Sequence, residues 1–237
     1  EIAARRSVAA LANVRKTELA EADTAEYNDA AMRANVVRWA ITPPTPPAGS
    51  SRLSIRTEPG APGETCIVLS ESASRAPSVN AAIAASAIEP IASGDAGTHT
   101  GSRSTPVARR CTFGIVWTAS AQFNREGSAA AIVVQPTESW QELWVLRKQS
   151  GTWTIRALPP AATTPGTGYA EWAGWVPGGA RMLVAREARG EGNYRRRFEV
   201  IQLDTLGVAQ EARDPEGFGP FQRWQSAAWK AQTLSLR

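Results

Sequence analysis

His99 is the only histidine among 237 residues, and it stands in Gly97-Thr98-His99-Thr100-Gly101. A Ser-His-Asp site would have to be built on it. No Gly-x-Ser-x-Gly elbow accompanies it, and its small polar neighbours give a general base no rigid seat. A Cys111–His99 dyad is the sharper version, but Cys66 is the more natural partner of Cys111. The three lysines, at 16, 148 and 230, have no serine three positions before them, so Ser-Lys chemistry has no basis. One histidine and two distant cysteines do not make a usual zinc set, and no Gly-x-x-x-x-Gly-Lys phosphate cradle occurs. Glu187, Glu191 and Glu199 are close in sequence and could supply a glycosidase pair. Acids in a hairpin rich in arginine read instead as solvated partners of that arginine. The reading leans away from an enzyme, and no catalytic residue, metal or cofactor is expected.

The most conspicuous polar run is Arg186-Glu187-Ala188-Arg189-Gly190-Glu191-Gly192-Asn193-Tyr194-Arg195-Arg196-Arg197, read as a loop between two strands. Arg189, Arg195, Arg196 and Arg197 beside Tyr194 could take a carboxylate, a phosphate or a base face, because guanidinium is a rigid fork that stacks on rings. The plainer alternative is that alternating arginines cap an exposed strand face. An anionic ligand is the candidate here. Nucleic acid is not the expected partner, since no basic stripe continues through the rest of the chain. Of the nine Trp residues, Trp117, Trp144, Trp153 and Trp175 fall on alternating strand positions and are expected in the core. Trp140, in Thr137-Glu138-Ser139-Trp140-Gln141, reads as a loop residue and an exposed contact for a protein partner.

Cys66 and Cys111 each sit in a strand-like run, Thr65–Leu69 and Arg110–Val116. They read as a disulfide between adjacent strands, worth roughly 4 kcal/mol by the chain-entropy argument, with two buried free thiols as the alternative. A disulfide implies an oxidising compartment, so a periplasmic or secreted location is expected. No apolar run reaches the length of about eighteen residues needed to span a bilayer, so no membrane span is expected. The net charge of +4 comes almost wholly from arginine. The preference for Arg and Ala over Lys and Ile resembles a high-GC bacterial coding sequence. Beginning at Glu1 with neither Met nor an apolar leader, the sequence is expected to be a processed or trimmed form.

These groups need elements to hold them. Residues 1–41 lack Gly and Pro and predict one long N-terminal α-helix, with Val8, Leu11, Leu19, Ala22 and Ala30 as a thin apolar stripe. It could dock on the body or on a partner, or simply connect to a preceding domain. Residues 42–51 form a Pro-rich linker. A β-rich domain over 52–237 follows, opening with Leu53–Arg56, a Pro/Gly turn at Pro59–Gly63 and Cys66–Leu69, as a hairpin or two successive strands. Residues 72–106 are expected to be a flexible surface insertion with one short helix near 78–88. The last strand, Thr233–Arg237, repeats the pattern of Leu53–Arg56 and could lie beside it.

From Trp117 a pattern runs twice. The first copy is Trp117, the turn Asn124-Arg125-Glu126-Gly127, Ala129–Val134, Pro136–Trp140, Glu142–Leu146, Gln149-Ser150-Gly151 and Trp153–Leu158. The second is Trp175, Pro177-Gly178-Gly179, Arg181–Ala185, Gly190–Asn193, Phe198–Leu203, Asp204–Gly207 and Val208–Ala212. A spacing of roughly fifty residues is that of stacked β-units such as propeller blades. Trp224 reads as the start of a third unit that stops after one strand. The stretch Ala173–Ala185 resembles the repeat of TolB-like β-propellers, with Gly178 where that pattern favours Asp and Val176 where it favours Ser. The resemblance is closest over that stretch and looser over residues 110–237. It implies blades in which Pro and Gly shape the turn, the apolar strand lines the interior and Trp packs between neighbours.

The expected protein is mainly β, with antiparallel propeller-blade-like sheets behind one long N-terminal helix. A complete propeller needs four or more blades, so the expectation is a twisted antiparallel assembly partly closed by its own ends. The expected role is an exported, non-enzymatic binding or scaffold module. The alternatives are a part of a larger propeller-containing enzyme such as a peptidase, or an accessory subunit of a multiprotein assembly.

Overall fold

The computed structural model describes residues 6, 10, 14, 19–37, 53–72, 104–162 and 165–232. The linker, most of the insertion, His99 and the segment 233–237 lie outside the described residues. In chain order the elements are α1 (Glu21–Val37), β1 (Leu53–Pro59), β2 (Thr65–Ser72), β3 (Ser104–Thr112), β4 (Ile115–Phe123), β5 (Ala129–Thr137), β6 (Trp140–Gln149) and β7 (Thr152–Leu158). Then come β8 (Gly168–Val176), β9 (Arg181–Gly190), β10 (Asn193–Gln202), β11 (Val208–Ala212), α2 (Gly219–Trp224) and α3 (Ala227–Gln232). The described chain is mainly β. No helix in it is long and apolar enough to cross a membrane.

The duplicated pattern becomes two four-stranded antiparallel meanders, β4-β5-β6-β7 and β8-β9-β10-β11. Local chemistry explains the turns of the first. Asn124 Oδ1 accepts from the backbone N–H of Ser128 and of Ala129, each at 2.9 Å, and fixes the β4–β5 turn. Ser120 fills a bulge in β4, donating to the Trp117 carbonyl at 2.6 Å and accepting from Val133 N at 2.8 Å. The first strand of the second meander is also bulged, between Trp172 and Gly174. Bulges twist and bend a strand, so each meander opens on a bent first strand.

The meanders bury one apolar face against each other. Val133, Leu143, Val145 and Leu158 meet Met182, Val184, Ile201 and Leu203, with Trp117, Trp172 and Trp175 packed at the margin. The two ends of the contact are pinned. Glu126 of the first meander accepts from Gly178 N at 3.1 Å, and Arg156 donates to the carbonyls of Asp204 and Thr205, each at 3.1 Å. Gly178 has φ +95°, a left-handed conformation that Asp would adopt only with strain. The carboxylate at this turn comes instead from the neighbouring unit. A short parallel seam, Trp140↔Gly168 and Gln141↔Tyr169, makes one eight-stranded sheet of the two meanders, with β7 branching from β6. Each large apolar side chain buried in the shared core contributes about 2 kcal/mol, against about 1 kcal/mol net for a hydrogen bond. The packed faces therefore outweigh the two-rung seam.

The outer faces are covered differently. The first meander presents Ile132, Val134, Trp144, Leu146 and Trp153 to Leu53, Ile67 and Leu69 of the three-stranded antiparallel sheet β1-β2-β3. Within that sheet β1 and β2 form a hairpin, and Cys66 lies directly opposite Cys111 and is bonded to it. The second meander presents Ala173, Leu183, Phe198 and Val200 to Phe221 and Trp229 of α2 and α3. Pro220 opens α2, and Trp229 donates to the buried Glu171 at 2.9 Å. Gly174 is required here, because a Cβ would stand 2.2 Å from the Trp224 carbonyl oxygen.

Two expectations are corrected. Trp224 ends a helix rather than starting a β-unit: Pro220 opens the turn, and Phe221, with Trp224 three positions on partly covered, packs against the second meander. The long N-terminal helix is shorter: the backbone bends at Leu19 and α1 spans Glu21–Val37. Its buried residues are Tyr27, Ala31, Met32 and Ala34, while Ala30 is exposed. The thin stripe carried too little apolar surface to fix a face, and contact with the sheet chose another. In keeping with an open assembly, the sheets form no closed ring among the described residues, and the end strand expected beside β1 lies outside them. Helices α2 and α3 cover the outer face of the second meander.

Candidate functional site

The arginine-rich run is a β-hairpin, not a loop. β9 and β10 stay in continuous register from Asn193↔Gly190 to Gln202↔Arg181. Only Glu191 and Gly192 form the connection, at φ 51° and 80°, the left-handed pair of a type I′ turn. Polar composition suggested a loop because Ala188 is its only aliphatic residue. Cross-strand charge pairing replaces apolar packing, with Glu187 directly opposite Arg196 and their groups 3.8 Å apart.

The hairpin sorts its charges by face. On the outer face Arg189 donates to Asp29 of α1 at 3.0 Å, and the Tyr194 hydroxyl donates to the other oxygen of the same carboxylate. Met32 of α1 packs on Tyr169 beside Tyr194. Burial, then the bond to the Asp29 carboxylate, holds the Tyr194 phenol well above the usual tyrosine range. Arg196 lies 5.0 Å over the Phe198 ring, and Glu187 accepts from the Tyr169 hydroxyl at 3.2 Å. A cavity of about 520 Å³ remains between α1 and the hairpin, bordered by Asn28, Asp29, Glu187, Arg189 and Asn193.

On the inner face Arg186 reaches the fully buried Glu199, with Nη2 2.7 Å from Oε1, and donates to the Pro159 carbonyl at 3.2 Å. This pair closes one end of the shared core. Glu187 and Glu199 therefore lie on opposite faces and Glu191 lies in the turn, so the three acids form no common cleft. Arg195 and Arg197 are exposed. Among the described residues Arg195 pairs with Glu191, at 3.7 Å across the turn, and Arg197 has no ion pair. With Tyr194, Arg196, Glu211 and Arg213 they line a groove of about 840 Å³ along the free side of β10.

The other candidate residues separate from this surface. Trp140 is 1 % exposed and opens β6, so it is no surface contact. The seam with β8, drawn from the other meander, encloses it. Cys66 and Cys111 have Glu64 near them, the three ligand atoms within 4.8 Å of one another, but disulfide sulfurs are not thiolate ligands. Asp29, Glu211 and Arg213 belong to the hairpin's surroundings without any sequence signal. Asp29 is 160 positions from Arg189. Compared with protein-family models, with curated proteins and with solved structures, the chain matches none.

Proposed function

We propose that this protein is a binding or scaffold module built from propeller-like β-units, working in an oxidising compartment outside the cytoplasm, with the arginine-rich hairpin as its contact for an anionic partner. The observation that carries the reading is the division of labour in that hairpin. Arg186, Arg189 and Arg196 are engaged within the fold, whereas Arg195 and Arg197 stand exposed over a groove. Two curled, four-stranded meanders packed face to face support blade-like units of the TolB type. The Cys66–Cys111 bond supports export. The functional step rests on the site's charge, since fold alone does not specify function.

The test is retention of the whole chain on immobilised polyglutamate over a salt series. Arg195→Glu with Arg197→Glu should abolish a salt-sensitive retention that Arg125→Glu leaves intact. Equal retention of both variants would remove the hairpin from the function.

A second reading is favoured by the open stack: the three-stranded sheet and the two meanders are an arc of a larger propeller, in an enzyme or a multiprotein assembly. With α2 and α3 on the outer face of the second meander, further blades would add on the β1–β3 side. A longer precursor with upstream Trp-led repeats would support this reading over an independent module.

A further inference from the structure

β10 is paired along only half of its free side. β11 covers Phe198 to Ile201, in the register Phe198↔Ala212 and Ile201↔Val208, and then the chain leaves the sheet through Arg213. Asn193–Arg197 pair with β9 on one side and with no strand on the other, among the described residues. At about 3.4 Å per residue this is an open edge of about 17 Å, room for a five-residue strand. In a two-residue hairpin the residues flanking the turn bond to each other, so Asn193, Arg195 and Arg197 direct their backbone groups to β9. The N–H and C=O of Tyr194 and Arg196 turn to the open edge.

An edge of this kind is a template for another strand, and charge decides which strand. The groove along it is bordered by Arg195, Arg196, Arg197 and Arg213 against Glu211 alone. Glu187 and Glu191 offset Arg196 and Arg195. Arg197 and Arg213 have no ion pair among the described residues. A second copy of β10 would bring arginine against arginine, which opposes self-pairing.

We propose that Asn193–Arg197 is a docking edge for an extended acidic segment of a partner protein, which adds to the sheet as a strand in line with β11. This deepens the binding-module reading and rests on it. Arg195 and Arg197 lie on one face of β10, so the segment carries acids at alternate positions, i and i+2, opposite them. Main-chain bonds to Tyr194 and Arg196 supply affinity, and the arginines supply selection.

The experiment uses the whole chain and a capped hexapeptide alternating Glu with Val. Binding should protect the amide hydrogens of Tyr194 and Arg196 from exchange. N-methylation of the peptide amides facing β10 should weaken it by about tenfold or more, and so should Arg197→Glu or Arg213→Glu, both at the surface. Equal binding of the methylated peptide, or binding without protection of those two amides, would overturn the strand-addition proposal and leave an electrostatic contact. If the peptide fails while polyglutamate is still retained, the proposal falls and the binding-module reading stands. If neither binds, both fall.

Discussion

The third strands of the two meanders, β6 and β10, share a place in the repeated pattern and differ in what lies beside them. β6 has β5 on one side, and on the other β7 along Leu143–Gln149 and β8 at Trp140 and Gln141. β10 has β9 on one side, and on the other β11 only from Phe198 onward. The sequences follow. The enclosed strand reads Trp140, Leu143, Trp144, Val145 and Leu146, while the open half of β10 reads Tyr194, Arg195, Arg196 and Arg197. Charge on an edge strand discourages pairing with a copy of itself. The same charge favours a partner of opposite sign, so protection of the edge and recognition at it share one cause.

The comparison can be strained from several sides. The largest effect is expected at the staple beside the first meander. Replacing Cys66 and Cys111 together by Ala should cost roughly 4 kcal/mol, since the bond closes a loop of 45 positions. Denaturant unfolding would read the loss. Amide exchange should show β1–β3 opening before β8–β11, because only the first meander leans on the stapled sheet.

Leu143 belongs to the core shared by both meanders and is 1 % exposed. Leu143→Ala should cost about 3 kcal/mol, with both meanders losing exchange protection together. Loss confined to β4–β7 would show two separate cores and undo the idea of a common one.

A smaller effect is expected where α1 covers the turn end of the hairpin. Asp29→Asn removes the charge that receives Arg189 and Tyr194. With these groups partly solvated the cost should be about 1 kcal/mol. Exchange should quicken in α1 while the β9–β10 register persists. Unchanged exchange in α1 would mean that its buried face of Tyr27, Ala31, Met32 and Ala34 holds the helix without the Asp29 contacts.

The smallest effect concerns Tyr194 itself. Its phenol is held above the ordinary tyrosine value of about 10 by burial and by Asp29. The neutral form is the one stabilised in the folded state. Its contribution is therefore complete below about pH 10 and is lost as pH climbs through the folded value, with no dependence near neutrality. Tyr194 should ionise late in an alkaline ultraviolet titration, and Tyr194→Phe should remove that contribution. An unchanged titration curve in Tyr194→Phe at high pH would show that the hydroxyl is not enclosed.

Much of the strand framework was legible because its causes are local. Alternating apolar residues, the Asn124–Gly127, Ser150-Gly151 and Pro177–Gly179 turns, and the shared Trp-led spacing marked the two meanders. The expected core positions Trp144 and Trp153 are buried. The Cys66–Cys111 pair needed only two strand-like runs in a chain without other thiols. The hairpin's strands were hidden because charge pairing across a sheet leaves no apolar alternation to read. Trp140 was misplaced because its cover comes from β8, nearly thirty positions away.

The sequence by itself determined where the chain turns, which faces of its strands are apolar, and which cysteines could meet, since each depends on residues within a few positions of one another. Only the tertiary structure decided that the meanders pack face to face and join at β6–β8, that α1 anchors on the hairpin through Asp29, and that helices cover the second meander. It also separated engaged from exposed arginines. Arg189, Arg195 and Arg197 are alike in sequence. Their surroundings differ because the strand's alternation sends them to different faces, and the chain brings a carboxylate from 160 positions away to only one of them.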